Sequence, residues 1–398
     1  MPKISGMLKR YSSTPGQRNE IDEILSPVLL AQSLFGQHIL DPNWGWLRHA
    51  HIHILFISIV VYVIFGTIEV LEGAADTTMQ MEGFYTFVII AAFLVKFILF
   101  AVNRNEFQQA YLVTKTELND FIKEISAEKS YVLLKNILLM VRLLLAIILM
   151  PVVFYVLTAI FSTYVLGKRV TLSKSTSILM PMTSPYYEIG FLLHTIFLVH
   201  MAFTILVIDM WYVYLMFFYC SSNDCLKEIL CVSRTDDDTN DGYATKLNLA
   251  LRKFYFAHEQ QMRYFNILVK MYKWPTVVPL CHVLISTCSL LFTLSVEFNW
   301  AFLSFASNLL PTMAELYAYN WYGEQVKNKA IQLNMALQDF DWPSMRVKDK
   351  KNFYIIATYM QKEFGIKTAF GNYMSLLTMS SVLKGSYQAF AVLKTMEN

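Results

Sequence analysis

Six predominantly apolar runs, at positions 52–70, 84–102, 137–161, 189–218, 277–296 and 300–319, each match the length of about 20 residues that a helix needs to cross a bilayer. A backbone in hydrocarbon must satisfy its own polar groups, so each run is predicted to be a helix. Composition agrees: 16% charged and 55% apolar residues fall outside the range of water-soluble domains. A seventh segment, "GNYMSLLTMSSVLKGSYQAFAVLKTMEN" at 371–398, is long enough to cross but carries Ser380, Ser381, Lys384, Ser386 and Gln388 near its middle. The expected fold is therefore an all-α membrane protein with seven transmembrane helices.

Lys and Arg set the orientation. Taken alternately from the N-terminus, the segments 1–49, 103–136, 219–276 and 320–368 hold twenty-six of them, whereas 71–83, 162–188 and 297–299 hold three. Basic residues stay on the cytoplasmic side, which places the N-terminus inside and the C-terminus outside. This is opposite to a G-protein-coupled receptor. Cys220, Cys225 and Cys231 fall on the cytoplasmic side and Cys281 and Cys288 within a span, so no outer disulfide is expected. The apolar run "PVLLAQSLFG" near the N-terminus lacks a cleavage site and reads as a helix at the membrane surface rather than a secretory leader.

The long cytoplasmic segments have helical periodicity. Leu247, Leu251, Phe254, His258, Met262 and Phe265 recur at three and four residues after the acidic turn 235–242, and Val326, Ala330, Leu333 and Leu337 repeat the pattern up to Asp341-Trp342-Pro343. A further amphipathic helix is expected from about Lys348 to Phe364. Spans extended below the bilayer as a helical anchor region, packed within one subunit or between subunits, account for this.

On the last span, Thr378, Ser381, Gly385, Gln388, Val392 and Thr395 share one face. Small and hydroxylated residues on one face mark tight helix packing in membranes. A water-lined conduit explains the same face, with Val392 as an isolated apolar constriction that gates by dewetting; a conduit requires several copies of the helix. Lys384 and Lys394 lie beside and behind this stripe.

The run "YNWYGEQVKNKAIQLNMALQDFDW" (319–342) and the run "SVLKGSYQAFAVLK" (381–394) resemble the C-terminal signature of insect odorant receptors: a Trp-Tyr-Gly run leaving the sixth span, an Asp-Trp closing the cytoplasmic helix, and a Leu-Lys-x-Ser-Tyr with a following Phe in the last span. The resemblance implies an odorant-binding subunit of a ligand-gated non-selective cation channel. That channel is a tetramer formed with the odorant receptor co-receptor in the plasma membrane of olfactory sensory neurons. It places the gate at Val392, the pore along Thr378, Ser381, Gly385, Gln388 and Thr395, and an odorant pocket in the outer half of the bundle. Where the co-receptor carries Gln, this chain has Thr395, and Lys394 stands at a place the co-receptor keeps apolar. A gustatory-type receptor channel and a non-channel seven-span receptor are the alternatives.

Position-by-position transfer fails in the variable half, so physical chemistry selects the pocket candidates. Phe84, Tyr85 and Val88, then Pro151, Phe154, Tyr155 and Thr158, then His194, Phe197 and Met201 lie in outer halves at helical spacing. An aromatic cage with one or two polar groups suits a small, apolar or aromatic volatile. His194 and Thr158 are the polar candidates. Trp321, Tyr322, Leu333, Leu337 and Trp342 are the candidate subunit anchor. Asp209 in the fourth span and Glu315 in the sixth are expected to pair with Lys96 or Arg142, or to line a cytoplasmic vestibule.

The expected organisation is a cytoplasmic segment 1–49, spans one to four over 50–218, a cytoplasmic helical loop over 219–276, spans five and six over 277–320, anchor helices over 321–368 and a pore-lining span over 369–398. A net charge of +3 without a dense basic run gives no case for nucleic acid; membrane lipid is the expected surrounding. The acidic turn fails as a calcium loop, because Asn248 stands where a loop starting at Asp237 needs a bidentate Glu. His258-Glu259 lacks the second His of a zinc helix. No metal, cofactor or catalytic activity is expected.

Overall fold

A computed structural model describes residues 28–30, 32, 50–73, 77–169, 181–296, 307, 309–362 and 364–397. Most of the N-terminal surface helix and the outer end of the sixth span lie outside the described residues. The described chain is almost wholly helical: α1 (Ala50–Gly73), α2 (Thr77–Val102), α3 (Arg104–Val113), α4 (Asn119–Ile125), α5 (Ala127–Tyr164), α6 (Tyr186–Leu230), α7 (Asn240–Tyr272), α8 (Val277–Val296), α9 (Leu309–Gln338), α10 (Val347–Met360) and α11 (Leu376–Glu397). The seven spans are α1, α2, α5, α6, α8, α9 and α11. Within α2, α5, α6 and α8 lie stretches long and apolar enough to cross a membrane.

Local chemistry sets the helix ends. Ser126 caps α5 by accepting from the Lys129 N–H at 3.3 Å, and Glu128 in the first turn faces the positive end of the helix dipole. Thr239 caps α7 by accepting from the Gly242 N–H at 3.1 Å. In the acidic turn before it, Asp238 Oδ2 accepts from the Thr235 N–H and hydroxyl at 3.0 and 2.9 Å. Asp238 Oδ1 pairs with Lys246 at 2.6 Å. These partners, Lys246 foremost, hold the Asp238 carboxyl down at about 2.

The spans do extend into a cytoplasmic helical anchor region. With 45 residues, α6 is about 67 Å long, against about 30 Å of hydrocarbon. It touches α2, α5, α7 and α9 and forms the spine of the molecule. Its inner half supplies Trp211, Tyr212, Leu215, Met216 and Phe218 to the main core, where Tyr264, Tyr272 and Tyr319 join them. Tyr212 stacks on Tyr319 at 4.1 Å and meets Tyr272 edge-on at 4.8 Å. Some of the polar groups here find partners: Tyr212 donates to the Tyr319 carbonyl at 2.9 Å, Tyr264 to the Leu215 carbonyl at 3.0 Å, and Gln261 to Ser222 at 2.8 Å.

A second core lies beyond the membrane. It gathers Leu226, Leu247, Leu251, Phe254, Leu333, Leu337, Phe353 and Ile356 from α6, α7, α9 and α10, with Phe340 from the turn after α9. The 3-10 turn Trp342–Ser344 ends α9, and Trp342 stacks on Phe353 at 5.7 Å.

Two boundaries differ from the sequence reading. The helix expected to reach Phe364 ends at Met360, and the last helix starts at Leu376 rather than at the beginning of the apolar segment. Between them runs a short antiparallel turn in which Thr368 N–H donates to the Asn372 carbonyl at 2.8 Å and Met374 N–H to the Ile366 carbonyl at 2.9 Å. Gly371, at φ 85°, supplies the left-handed residue that turn requires. This turn is docked on α9 at Gly323, where a Cβ would stand 2.4 Å from Met374 Cβ and 2.5 Å from its carbonyl oxygen.

Candidate functional site

Among the outer-half candidates, Tyr85, Phe197 and Met201 fall in two packing clusters. Tyr85 on α2 is buried against Leu290 of α8, with Ile89 and Leu309 beside it, and Val88 is buried one turn further in. Phe84, their neighbour in sequence, is 42% exposed. Phe197 on α6 is buried instead with Phe56, Val60, Val63, Ile90 and Phe93, and Met201 packs at the edge of that cluster. His194 is buried on the same helix. On α5, Pro151 is buried while Phe154, Tyr155 and Thr158 are half-buried. The Thr158 hydroxyl lies within hydrogen-bonding distance of the Phe154 and Tyr155 carbonyls, at 2.8 and 3.0 Å.

The second cluster carries ring chemistry that the choice of outer-half candidates left out. His53 and Phe56 on α1, Phe93 and Phe97 on α2, and His200 on α6 enclose a cavity of about 10 Å³, near the volume one water needs. Phe56 meets Phe93 edge-on at 4.6 Å, lies 5.9 Å from His200 and 6.4 Å from Phe197. The spacings His53/Phe56, Phe93/Phe97 and Phe197/His200, all three or four residues, are the signal that would have found it.

On α11 the polar stripe separates into roles. Thr378 serves the foot of the helix: its hydroxyl donates to the Tyr373 carbonyl at 2.7 Å and its N–H to Ser375 Oγ at 3.2 Å. Gly385 faces α8, where an added Cβ would meet Leu284 at 3.7 Å. Ser381, Gln388 and Thr395 are exposed, and Val392 is 58% exposed. Ser381 and Thr395 donate to the Leu377 and Val392 carbonyls at 3.0 and 2.7 Å. Such bonds satisfy the hydroxyl hydrogens within the helix and leave oxygen lone pairs outward. Lys384 and Gln388 also line an open groove of about 590 Å³ between α11 and Tyr317 of α9.

Of the anchor candidates, Tyr322, Leu333 and Leu337 are buried inside the chain. Leu333 and Leu337 belong to the cytoplasmic core and Tyr322 to the main one, so their side chains are taken up by packing within one subunit. Trp321 stays 37% exposed, stacked on Tyr317 at 5.7 Å. Trp342 is half-buried.

Three charges meet inside the bundle. Lys96 Nζ of α2 lies 2.8 Å from Asp209 Oδ1 of α6 and 2.5 Å from Glu315 Oε1 of α9. Tyr319 donates to the same Asp209 oxygen at 3.0 Å, and the ammonium sits over its ring at 5.5 Å. Lys96 therefore takes both carboxylates.

The whole arrangement defines a seven-span helical receptor fold. Over residues 76–387 the chain matches the family model for the 7tm odorant receptor, and it belongs to that family. Two solved structures share the fold, both of the insect olfactory receptor OR5 from Machilis hrabei. The first aligns with a TM-score of 0.71 at 13% identity, covering 98% of this chain and 96% of that one. The second, in complex with eugenol, aligns with a TM-score of 0.71 at 12% identity, covering 99% and 97%. No curated protein matches the chain in sequence.

Proposed function

We propose that the chain is the odorant-binding subunit of a ligand-gated, non-selective cation channel, assembled as a tetramer with the odorant receptor co-receptor in the plasma membrane of olfactory sensory neurons. The observation that carries this reading is the outward face of α11, where Ser381, Gln388, Val392 and Thr395 are exposed on a span of a family member. Polar groups at bilayer depth are tolerated against protein or water, and a ring of such helices supplies both, with Val392 as the apolar constriction.

The ligand is a small apolar or aromatic volatile held among the rings of the outer half. That eugenol is bound in the related structure supports the aromatic class. Binding shifts a closed–open equilibrium by its greater affinity for the open arrangement and by nothing else. Tyr85, Tyr155, His194 and Phe197 are the residues that read the ligand, and α11 is the element that responds.

The test is whole-cell current during a panel of volatiles in cells expressing this chain with the co-receptor, the co-receptor alone, or this chain alone, with G-protein signalling blocked. Odorant-evoked cation current in the first condition and not in the second is the expected result. Equal currents with the co-receptor alone, or silence despite confirmed surface assembly, would sink the reading and favour a gustatory-type or non-channel receptor.

A further inference from the structure

Positive charge gathers where the last span enters the bilayer. On α9, Lys327 follows Gly323 by one turn and stands about 18 Å further towards the cytoplasm than Glu315. The turn docked at Gly323 carries Lys367 and Tyr373, and its Met374 lies two residues before α11. Lys327 Nζ lies over the Tyr373 ring at 5.7 Å from its centre, and Lys367 Nζ over the same ring at 4.7 Å. The ring is seated on Gly365, where an added Cβ would stand 2.8 Å from Tyr373 Cδ1.

Two ammonium groups thus share one aromatic ring. Each gains from the face of the ring, but the two charges repel one another. Neither forms an ion pair with a carboxylate among the described residues. Other lysines on the cytoplasmic helices are matched: Lys329 with Asp224 at 2.7 Å, Lys253 with Glu124 at 2.8 Å and Lys270 with Glu106 at 2.6 Å. The pair at Tyr373 is therefore set to take an anion from outside the chain.

The same two helices bound an apolar slot. In the groove of about 590 Å³ between α11 and Tyr317 of α9, Leu376, Met379 and Leu383 form the apolar wall. Leu376 opens α11, three residues after Tyr373, so the slot begins at the helix end nearest the two cations. Lys384 also lines it. Side chains on a helix lean towards its N-terminus, which directs this third ammonium down towards the membrane surface. A charged head at the interface with an apolar chain above it has the same succession.

We propose that Lys327 and Lys367 bind the headgroup phosphate of an anionic lipid from the inner leaflet, with an acyl chain along the groove between α9 and α11. A phosphomonoester carries about −1.5 to −2 charges at neutral pH and so balances two ammonium groups, whereas a zwitterionic headgroup does not. Basic clusters on the cytoplasmic side of spans recognise such headgroups. The bound lipid ties the foot of α11 to α9 at the joint made by Gly323 and Met374. The inference rests on the seven-span fold and on the orientation set by Lys and Arg, and it stands without the channel reading.

The test is thermal melting of the purified full chain in a neutral detergent with dioctanoyl phosphatidic acid, dioctanoyl phosphatidylcholine or inorganic phosphate, with bound lipid counted by native mass spectrometry. Phosphatidic acid is expected to raise the melting temperature by at least about 2 °C over phosphatidylcholine, saturating at one tightly retained lipid per chain. Lys327→Gln together with Lys367→Gln is expected to abolish that difference, and Lys327→Arg together with Lys367→Arg to keep it. The lipid count on the unsubstituted chain decides the question if the glutamine pair fails to fold. Equal responses to the two lipids, or a phosphatidic acid response that survives the glutamine pair, would overturn the proposal. So would a full response to inorganic phosphate, which would assign the cations to a soluble anion. Unchanged lipid binding with weaker self-association of the glutamine pair would assign them instead to a second copy of the chain.

Discussion

The two ends of α6 are built differently. From Leu206 to Met216 every residue is buried, and the following turns continue into the cytoplasmic core. From Tyr186 to Ile205 buried Tyr187, His194 and Phe197 alternate with Ile189, Leu192 and Ile196, which face outward. One helix thus passes from a half-packed environment to a fully enclosed one. The enclosed end is held by packing on every side, and the open end by packing on one side only.

Four measurements would break or sharpen that contrast. The largest effect is expected at the buried charges: Lys96→Ala leaves two carboxylates unpaired and should cost about 3–5 kcal/mol, read as lost surface expression and an early melt. Replacing Lys96, Asp209 and Glu315 together with Met, Leu and Met should restore most of that stability, because an apolar trio needs no partner. In the cytoplasmic core Phe254→Ala should cost about 3–5 kcal/mol, since Phe254 is fully enclosed by α6, α7 and their neighbours. An equal loss from Leu192→Ala, at a residue 60% exposed at the open end, would remove the contrast.

Smaller effects come from packing at the foot of α11 and from pH. Gly323→Ala forces its Cβ against the Met374 backbone, and such overpacking costs about 1–3 kcal/mol. Because Met374 lies two residues before α11, altered odorant-evoked current at normal surface level is expected along with the lower melting temperature. His258 stacks on Phe254 at 5.6 Å, and burial holds it down at about 4. The folded state takes up a proton less readily than the unfolded one, so stability should fall as pH drops from about 6.5 towards 4, by at most about 1.4 kcal/mol per unit. His258→Gln should flatten that dependence in a pH series of melts.

Much of this fold was legible because lipid leaves a chain few choices. The apolar runs, the alternation of Lys and Arg and the stripe from Leu247 to Phe265 rest on local periodicity, and the helices run through them. Charged residues hid the inner end of α5, which starts at Ala127 although the apolar run begins ten residues later. Span hydropathy likewise could not show where α11 starts, because the preceding turn depends on Gly371 and on a contact with Gly323 distant in sequence. The site was harder still. That Phe84 is exposed while Tyr85 packs against α8 follows from which helices are neighbours, and no helical wheel contains that information. The pairing of Lys96 with both Asp209 and Glu315 narrows a choice that the sequence left open.

The unbroken run of α6 also has a mechanical meaning. Its 45 residues form a stiff rod gripped at one end, so displacement and angle are exchanged along it as in a lever. Pivoted near Asp209, a tilt of about 3° moves the outer tip by about 1.8 Å, taking about 34 Å of helix above the pivot. If, as proposed, a guest lodges among the outer rings and pushes that tip aside by about 1.8 Å, the gripped end would receive a rotation of about 3°. Small differences in molecular girth would then become differences in angle.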